Sequence, residues 1–308
     1  DYTNALKSGY DLQSFSWPSY ITSQLPIRPQ WLQEVVPSGA AIGVLDAGLA
    51  EEWGLSPEVI ITAGITDGCA SQIASGAVNL GDWNTTIGTT LVVKGVTEKE
   101  IIDPSGALYC HRHPEGYWMP GGASNTGADW VSRLFGDADI AALGTAAAGL
   151  IPGTHLAWPL LQEGERFPFV APAAKGFAPE GISQLELFTA NMEGVAYIER
   201  YAFERIKFLS GEKITQVFSA GGGSSSDTWL TIRSNVLGLP ICKMQNVSGA
   251  AGAAVIAASK THFNNVIEAS AAMVKPEKRI QPERQLMERY EQNYKLFITL
   301  LQQKGYLI

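Results

Sequence analysis

Val59-Ile60-Ile61-Thr62-Ala63-Gly64-Ile65-Thr66-Asp67-Gly68-Cys69 carries the transition on which the reading of the fold turns. Residues 59–63 are β-branched or apolar and read as a buried strand, Gly64 to Gly68 as a turn, and the small residues from Cys69 to Ala77 as a helix. Strand–turn–helix units are where α/β folds place their chemistry. Asp67 opens the helix, and a carboxylate there has two uses. It can take a proton from a substrate hydroxyl, or it can cap the helix by accepting backbone N–H bonds. Position alone favours the cap. The two uses are compatible in phosphoryl transfer, whose loose transition state tolerates a weak base.

A second unit of this kind lies downstream. Ile214 to Ala220 reads as a strand entering Gly221-Gly222-Gly223-Ser224-Ser225-Ser226, followed by a helix over 227–237, a short strand over 240–244 and a small-residue helix over 248–259. Three glycines between strand and helix let a backbone approach a nucleotide closely, and the helix start favours an anion. The spacing is neither GxGxxG nor the P-loop pattern, so a ligand-free surface turn is the competing reading. Between the two units, 83–87 and 91–96 are β-rich runs joined at Gly88-Thr89-Thr90, a hairpin turn whose amides and hydroxyls suit phosphate oxygens. A second hairpin is expected over 108–112 and 117–120, and helices over 125–135 and 138–150. The longest helical pattern runs from Ser183 to Leu209, with Ser183 and Glu186 as a capping box. An amphipathic helix over 283–303 closes the chain. Residues 159–180 read as a long loop and 1–58 as irregular and helical.

The chain has 308 residues, 45% hydrophobic and 17% charged, which suits a sizeable core and a mixed α/β protein rather than a disordered one. Thirty acidic against 22 basic side chains give a net charge of −8, against a non-specific nucleic-acid partner. The longest small-apolar run, 249–258, is too short to span a bilayer. Cys69, Cys110 and Cys242 are scattered without metal-ligand spacing, and with no signal peptide in view a cytoplasmic protein is expected. The opening at Asp1, without Met, reads as a processed or truncated product. His111 and His113 flank Arg112 with no third metal ligand nearby, so an exposed polar strand and no metal site are expected. Glu163, Glu165 and Arg166 read as a loop ion-pair cluster. The serines lack a GxSxG elbow, which argues against a serine hydrolase. No Rossmann fingerprint is present, which disfavours a dinucleotide oxidoreductase.

Nine segments occur in an order that resembles the FGGY family of carbohydrate kinases. They are Asp1-Tyr2-Thr3-Asn4-Ala5-Leu6-Lys7, Ala63-Gly64-Ile65-Thr66-Asp67-Gly68, Ile87-Gly88-Thr89-Thr90, Gly121-Gly122-Ala123-Ser124-Asn125, Gly164-Glu165-Arg166-Phe167-Pro168, Met192-Glu193-Gly194-Val195, Ser219-Ala220-Gly221-Gly222-Gly223, Asn235-Val236-Leu237-Gly238-Leu239-Pro240 and Gly249-Ala250-Ala251-Gly252-Ala253-Ala254. Each is weak alone; the order is specific. Thr90 stands where the family pattern usually has Ser.

The resemblance implies a two-domain actin/hexokinase-like (ribonuclease H-like) α/β fold with the first domain only partly present. Residues 1–79 would be the tail of the sugar-side domain and 80–308 the nucleotide-side domain. It further implies an ATP- and Mg2+-dependent kinase for a small-molecule sugar, closest to the ribulose/xylulose kinase-like branch. Asp67 would be the general base, Gly88, Thr89 and Thr90 would line the phosphate path, and Gly221, Gly222, Gly223 and Ser224 would receive the nucleoside, with Asn235 or Trp229 beside them. The family's opening strand and Asp-x-Gly-Thr hairpin are missing, so sugar phosphorylation by this chain alone is not expected. A non-catalytic nucleotide-binding module acting with another chain is the alternative.

Overall fold

The computed structural model describes residues 1–307. Among the described residues there are nine strands: β1 (Ala41–Val44), β2 (Ile60–Thr62), β3 (Trp83–Ile87), β4 (Leu91–Gly95), β5 (Tyr109–Arg112), β6 (Trp118–Ser124), β7 (Val217–Ala220), β8 (Ile241–Met244) and β9 (Pro276–Ile280). The helices are α1 (Tyr2–Ala5), α2 (Tyr20–Ser23), α3 (Ala47–Trp53), α4 (Asp67–Ala74), α5 (Asp129–Phe135), α6 (Ile140–Ala147), α7 (Gln184–Ser210), α8 (Asp227–Leu237), α9 (Gly249–Ala258), α10 (Val266–Met273) and α11 (Arg284–Gln303).

Seven strands form one mixed sheet in the order β5-β6-β4-β3-β7-β8-β9. β3, β7 and β8 are parallel neighbours, and the hairpin strands β4, β6 and β5 extend the sheet antiparallel on one side. The parallel centre requires crossover helices, which the sequence between β7 and β8 supplies as α8. The main core lies between the sheet and α7, α8 and α11: Trp83, Ile87, Leu91 and Val93 of the sheet meet Val195, Tyr197, Leu230 and Phe297. A second cluster joins Cys69 and Ile73 of α4 to Val255 and Ile256 of α9, Val266 of α10 and Met119 of β6.

Helix α7 begins where the sequence says it should. Ser183 accepts from the Glu186 amide while the Glu186 carboxylate accepts from the Ser183 amide, and Gly211 ends the helix in the left-handed conformation. Three expectations are corrected. Residues 60–62 are not a buried strand: β2 pairs only with β1, and Ile60 and Ile61 are exposed. His111 and His113 are not on an exposed strand but buried; desolvation pushes their imidazoles down to about 3 and about 4. Glu165 and Arg166 form no ion pair with each other, although Glu163 does pair with Lys175.

Candidate nucleotide and catalytic site

Strand β3 ends at Ile87, and two loops meet there. One is the Gly88–Thr90 turn that continues from it, closed by a hydrogen bond from the Gly88 amide to the Thr90 carbonyl. The other is the glycine loop after β7, which lies beside β3 in parallel register with Thr86 opposite Ala220. Gly221 takes φ +81°, and a Cβ there would stand 2.4 Å from the Ile87 carbonyl oxygen. Only glycine combines that dihedral with that approach. Residues 222–225 then wind into a 3-10 turn, so the glycines form a packed shelf rather than a loose surface turn.

Gly222 faces open space on that shelf and lines a cavity of about 610 Å³. Its other walls include Ala128, Val131, Ile140, Phe188, Met192 and Trp229. An apolar cavity of this size with a glycine-lined mouth suits a flat heterocycle with a polar tail. Thr228 donates its hydroxyl to the Gly144 carbonyl and the Trp229 indole donates to the Met192 carbonyl, at 2.6 and 3.0 Å, which fixes the walls.

The shelf rests on a buried ion pair that sequence reading missed. Arg233 on α8 is fully buried and grips Glu199 on α7 through two hydrogen bonds of 2.7 and 2.8 Å. Its third nitrogen donates to the Ser219 hydroxyl, which in turn bonds the Ser224 hydroxyl at 2.7 Å. The Ser224 side chain is therefore committed to the scaffold rather than free for a ligand. Only the spacing of two charged residues inside apolar helix faces could have flagged the pair.

Asn235 is not brought to this shelf. Its amide donates to the Thr231 carbonyl and its oxygen accepts from the Glu283 amide, at 2.8 and 2.6 Å, so it ties α8 to the start of α11. It lines a different cavity, beside Arg200, Glu204 and Met287.

Asp67 stands at the first position of α4 and is exposed, its carboxylate accepting, among the described residues, only from the Gly68 amide at 2.6 Å. The capping position belongs to Thr66, whose side chain makes no cap bond. Thr66 is positioned by the chain's opening: its amide donates to the Thr3 hydroxyl at 2.9 Å, and that hydroxyl donates to the Asp1 carboxylate at 2.6 Å. Asp1 also accepts from the Ser38 hydroxyl. Among the described residues no group of three or more His, Cys, Asp or Glu side chains could hold a metal ion, and no helix is long and apolar enough to cross a membrane.

A mixed α/β sheet with paired loops at the end of its central strands places the architecture in the actin/hexokinase-like class, and comparison with known proteins bears this out. The chain aligns over 99% of its length with the crystal structure of a "xyloylose kinase" from Brucella ovis, at a TM-score of 0.86 and 25% identity. It aligns over 98% with xylulose kinase from Rhodospirillum rubrum, at 0.84 and 24%. Residues 83–261, more than half of the chain, match the C-terminal domain of the FGGY family of carbohydrate kinases, and the chain belongs to that family. Curated relatives include a gluconokinase from Bacillus licheniformis, 24% identical over 97% of this chain, and a xylulose kinase from Staphylococcus epidermidis, 26% identical over 87%. The chain spans 62% and 56% of those two relatives and 64% of each of the two structures.

Proposed function

We propose that this chain is the nucleotide-binding part, together with the catalytic aspartate turn, of an ATP-dependent kinase for a ketopentose such as D-xylulose or D-ribulose. The observation that carries the reading is the meeting of the Gly88–Thr90 turn and the Gly221–Ser224 shelf at Ile87, beside an apolar cavity that Gly222 opens into. MgATP enters as a substrate. The base and ribose take the cavity, and the phosphates run over the shelf to the amides and hydroxyls of Gly88, Thr89 and Thr90. Asn235 is left out of this site by its own hydrogen bonds.

In the transfer step the sugar hydroxyl oxygen forms a bond to the γ-phosphorus as the bond to the bridging oxygen of ADP breaks. Asp67 takes the hydroxyl proton, and its exposure leaves the carboxylate free for this. Residues 1–79 belong, on this reading, to the sugar-side domain and 80–308 to the nucleotide side.

A gluconokinase among the relatives makes a sugar acid the natural competitor as acceptor. The experiment is an ADP-release assay on the full-length enzyme with D-xylulose, D-ribulose and D-gluconate. A kcat/KM highest for one of the ketopentoses supports the reading; preference for gluconate replaces the acceptor, and no ADP release with any of the three refutes the ketopentose assignment.

A further inference from the structure

The Glu165 carboxylate is buried, has no cation within ion-pair distance among the described residues, and yet accepts from five donors. One oxygen takes the amides of Asn125 and Arg166 at 2.7 and 2.9 Å, with that of Phe167 at 3.5 Å. The other takes the hydroxyls of Ser124 and Thr126 at 2.7 and 2.9 Å. Those two hydroxyls are already engaged as acceptors, Ser124 from the Thr126 amide and Thr126 from the Trp158 indole, so their protons are free to point at Glu165. Both carboxylate oxygens therefore act as acceptors, and the charge is met by short dipoles rather than by a cation. Asn125 closes the clasp from its side, donating its amide to the Gly164 carbonyl at 2.8 Å.

The segment that Glu165 grips is the one that supports the phosphate turn. The Leu91 amide donates to the Thr126 carbonyl at 2.9 Å, and the Ala128 amide donates to the Gly88 carbonyl at 2.7 Å. Between them Gly127 lies so close that a Cβ would stand 2.3 Å from the Thr89 carbonyl oxygen. The turn cannot shift without moving residues 126–128, and those cannot shift without breaking the clasp.

We propose that Glu165 is a positioning residue for the nucleotide phosphates, holding the Gly88–Thr90 turn in a ligand-ready conformation through Ser124 and Thr126. This rests on the assignment of that turn to the phosphate path. Preorganised donors are what such a turn contributes, and a displacement of about 1 Å is worth up to ~10²-fold in function.

Glu165→Gln keeps the shape but sets an amide NH2 against two hydroxyls that then lose the acceptor for their own protons. Thr126→Val is a second variant, should the first fail to fold; it keeps the backbone bond to Leu91 and removes the hydroxyl link. Two readouts apply to the chain as it stands: hydrogen exchange of the peptide spanning 86–92, and the Kd for ADP. Faster exchange confined to 86–92 and its neighbours, with an ADP Kd raised about 10-fold or more, is the expected result. Asp103→Asn, which loosens an ion pair with Arg205, should move neither. Unchanged exchange and affinity with only a lower Tm would overturn the proposal and leave the phosphate assignment standing. If the wild-type chain binds no ADP, the phosphate assignment fails and the proposal falls with it, whatever the exchange shows.

Discussion

Replacing Arg233 by Met tests how the glycine shelf is held. The guanidinium is fully buried, and three of its nitrogens are bonded, two to Glu199 and one to Ser219. Methionine fills much of the space but leaves the Glu199 carboxylate buried without a counter-charge. Breaking one side of a buried pair costs about 3–5 kcal/mol, mostly the cost of the stranded charge. At roughly 2–4 °C per kcal/mol for chains of some 150–250 residues, Tm should fall by about 10 °C. Scanning calorimetry measures it. The companion variant Arg233→Met with Glu199→Leu removes both charges and should recover most of the loss, because apolar replacement of a whole buried pair is often neutral. The shelf should not recover in the double variant. Ser219 still lacks its donor and Ser224 its fixed partner, so ADP binding should stay weakened while Tm returns. A single variant melting within about 2 °C of wild type, well short of the shift expected from the stranded charge, would refute the reasoning. So would a double variant that melts as low as the single.

Asp67→Asn in the full-length enzyme should lower kcat at least ~10²-fold, the usual loss of a general base, with little change in Tm, since the carboxylate accepts only one amide bond; assay of turnover beside a melt separates base from cap. Glu193 is buried with one oxygen unpartnered, and burial pushes its carboxyl up to about 7. The folded state thus holds a proton that the unfolded chain releases near the ordinary carboxylate range. Its contribution to stability is present at low pH and is lost as pH rises from about 4.5 to 7. Denaturant titrations across that window should show wild type losing stability relative to Glu193→Gln, and parallel curves would contradict this. Gly252→Ala should cost about 1–3 kcal/mol by overpacking, because its Cβ would overlap the Ala70 carbonyl where α9 crosses α4; urea unfolding measures it.

The elements legible in the sequence were those whose signal is local. The capping box at Ser183 and the apolar spacing behind it fix α7, and the hairpin over 83–95 announces itself by β-branched runs around Gly88. Helix α5 starts at Asp129 rather than 125 because residues 126–128 are hydrogen-bonded to Gly88 and Leu91 on either side of the Gly88–Thr90 turn, a contact no local pattern shows. Strands β1 and β9 and helix α10 were missed; β9 is an exposed, charged edge strand whose only signal is its pairing with β8. At the proposed site, the glycines and Asp67 stand out in the sequence because they are chemically distinctive. The contacts behind the two glycine turns, Arg233 with Glu199 and Glu165 with Thr126, act across 34 and 39 positions of sequence, and their residues read in isolation as ordinary polar side chains. Asn235 shows the converse: it is a polar residue beside a glycine motif, yet its amide bonds tie α8 to the start of α11.

Titration calorimetry of ADP into this chain, beside its Gly222→Asp variant, tests the central claim most directly. Gly222 faces open space, so the aspartate adds no internal clash and the fold should persist. It would place a side chain and a negative charge on the path proposed for the phosphates. The account predicts ADP binding by the wild-type chain and none by a variant with unchanged Tm. Equal binding by both would move the nucleotide away from the glycine shelf and contradict the site described for this chain.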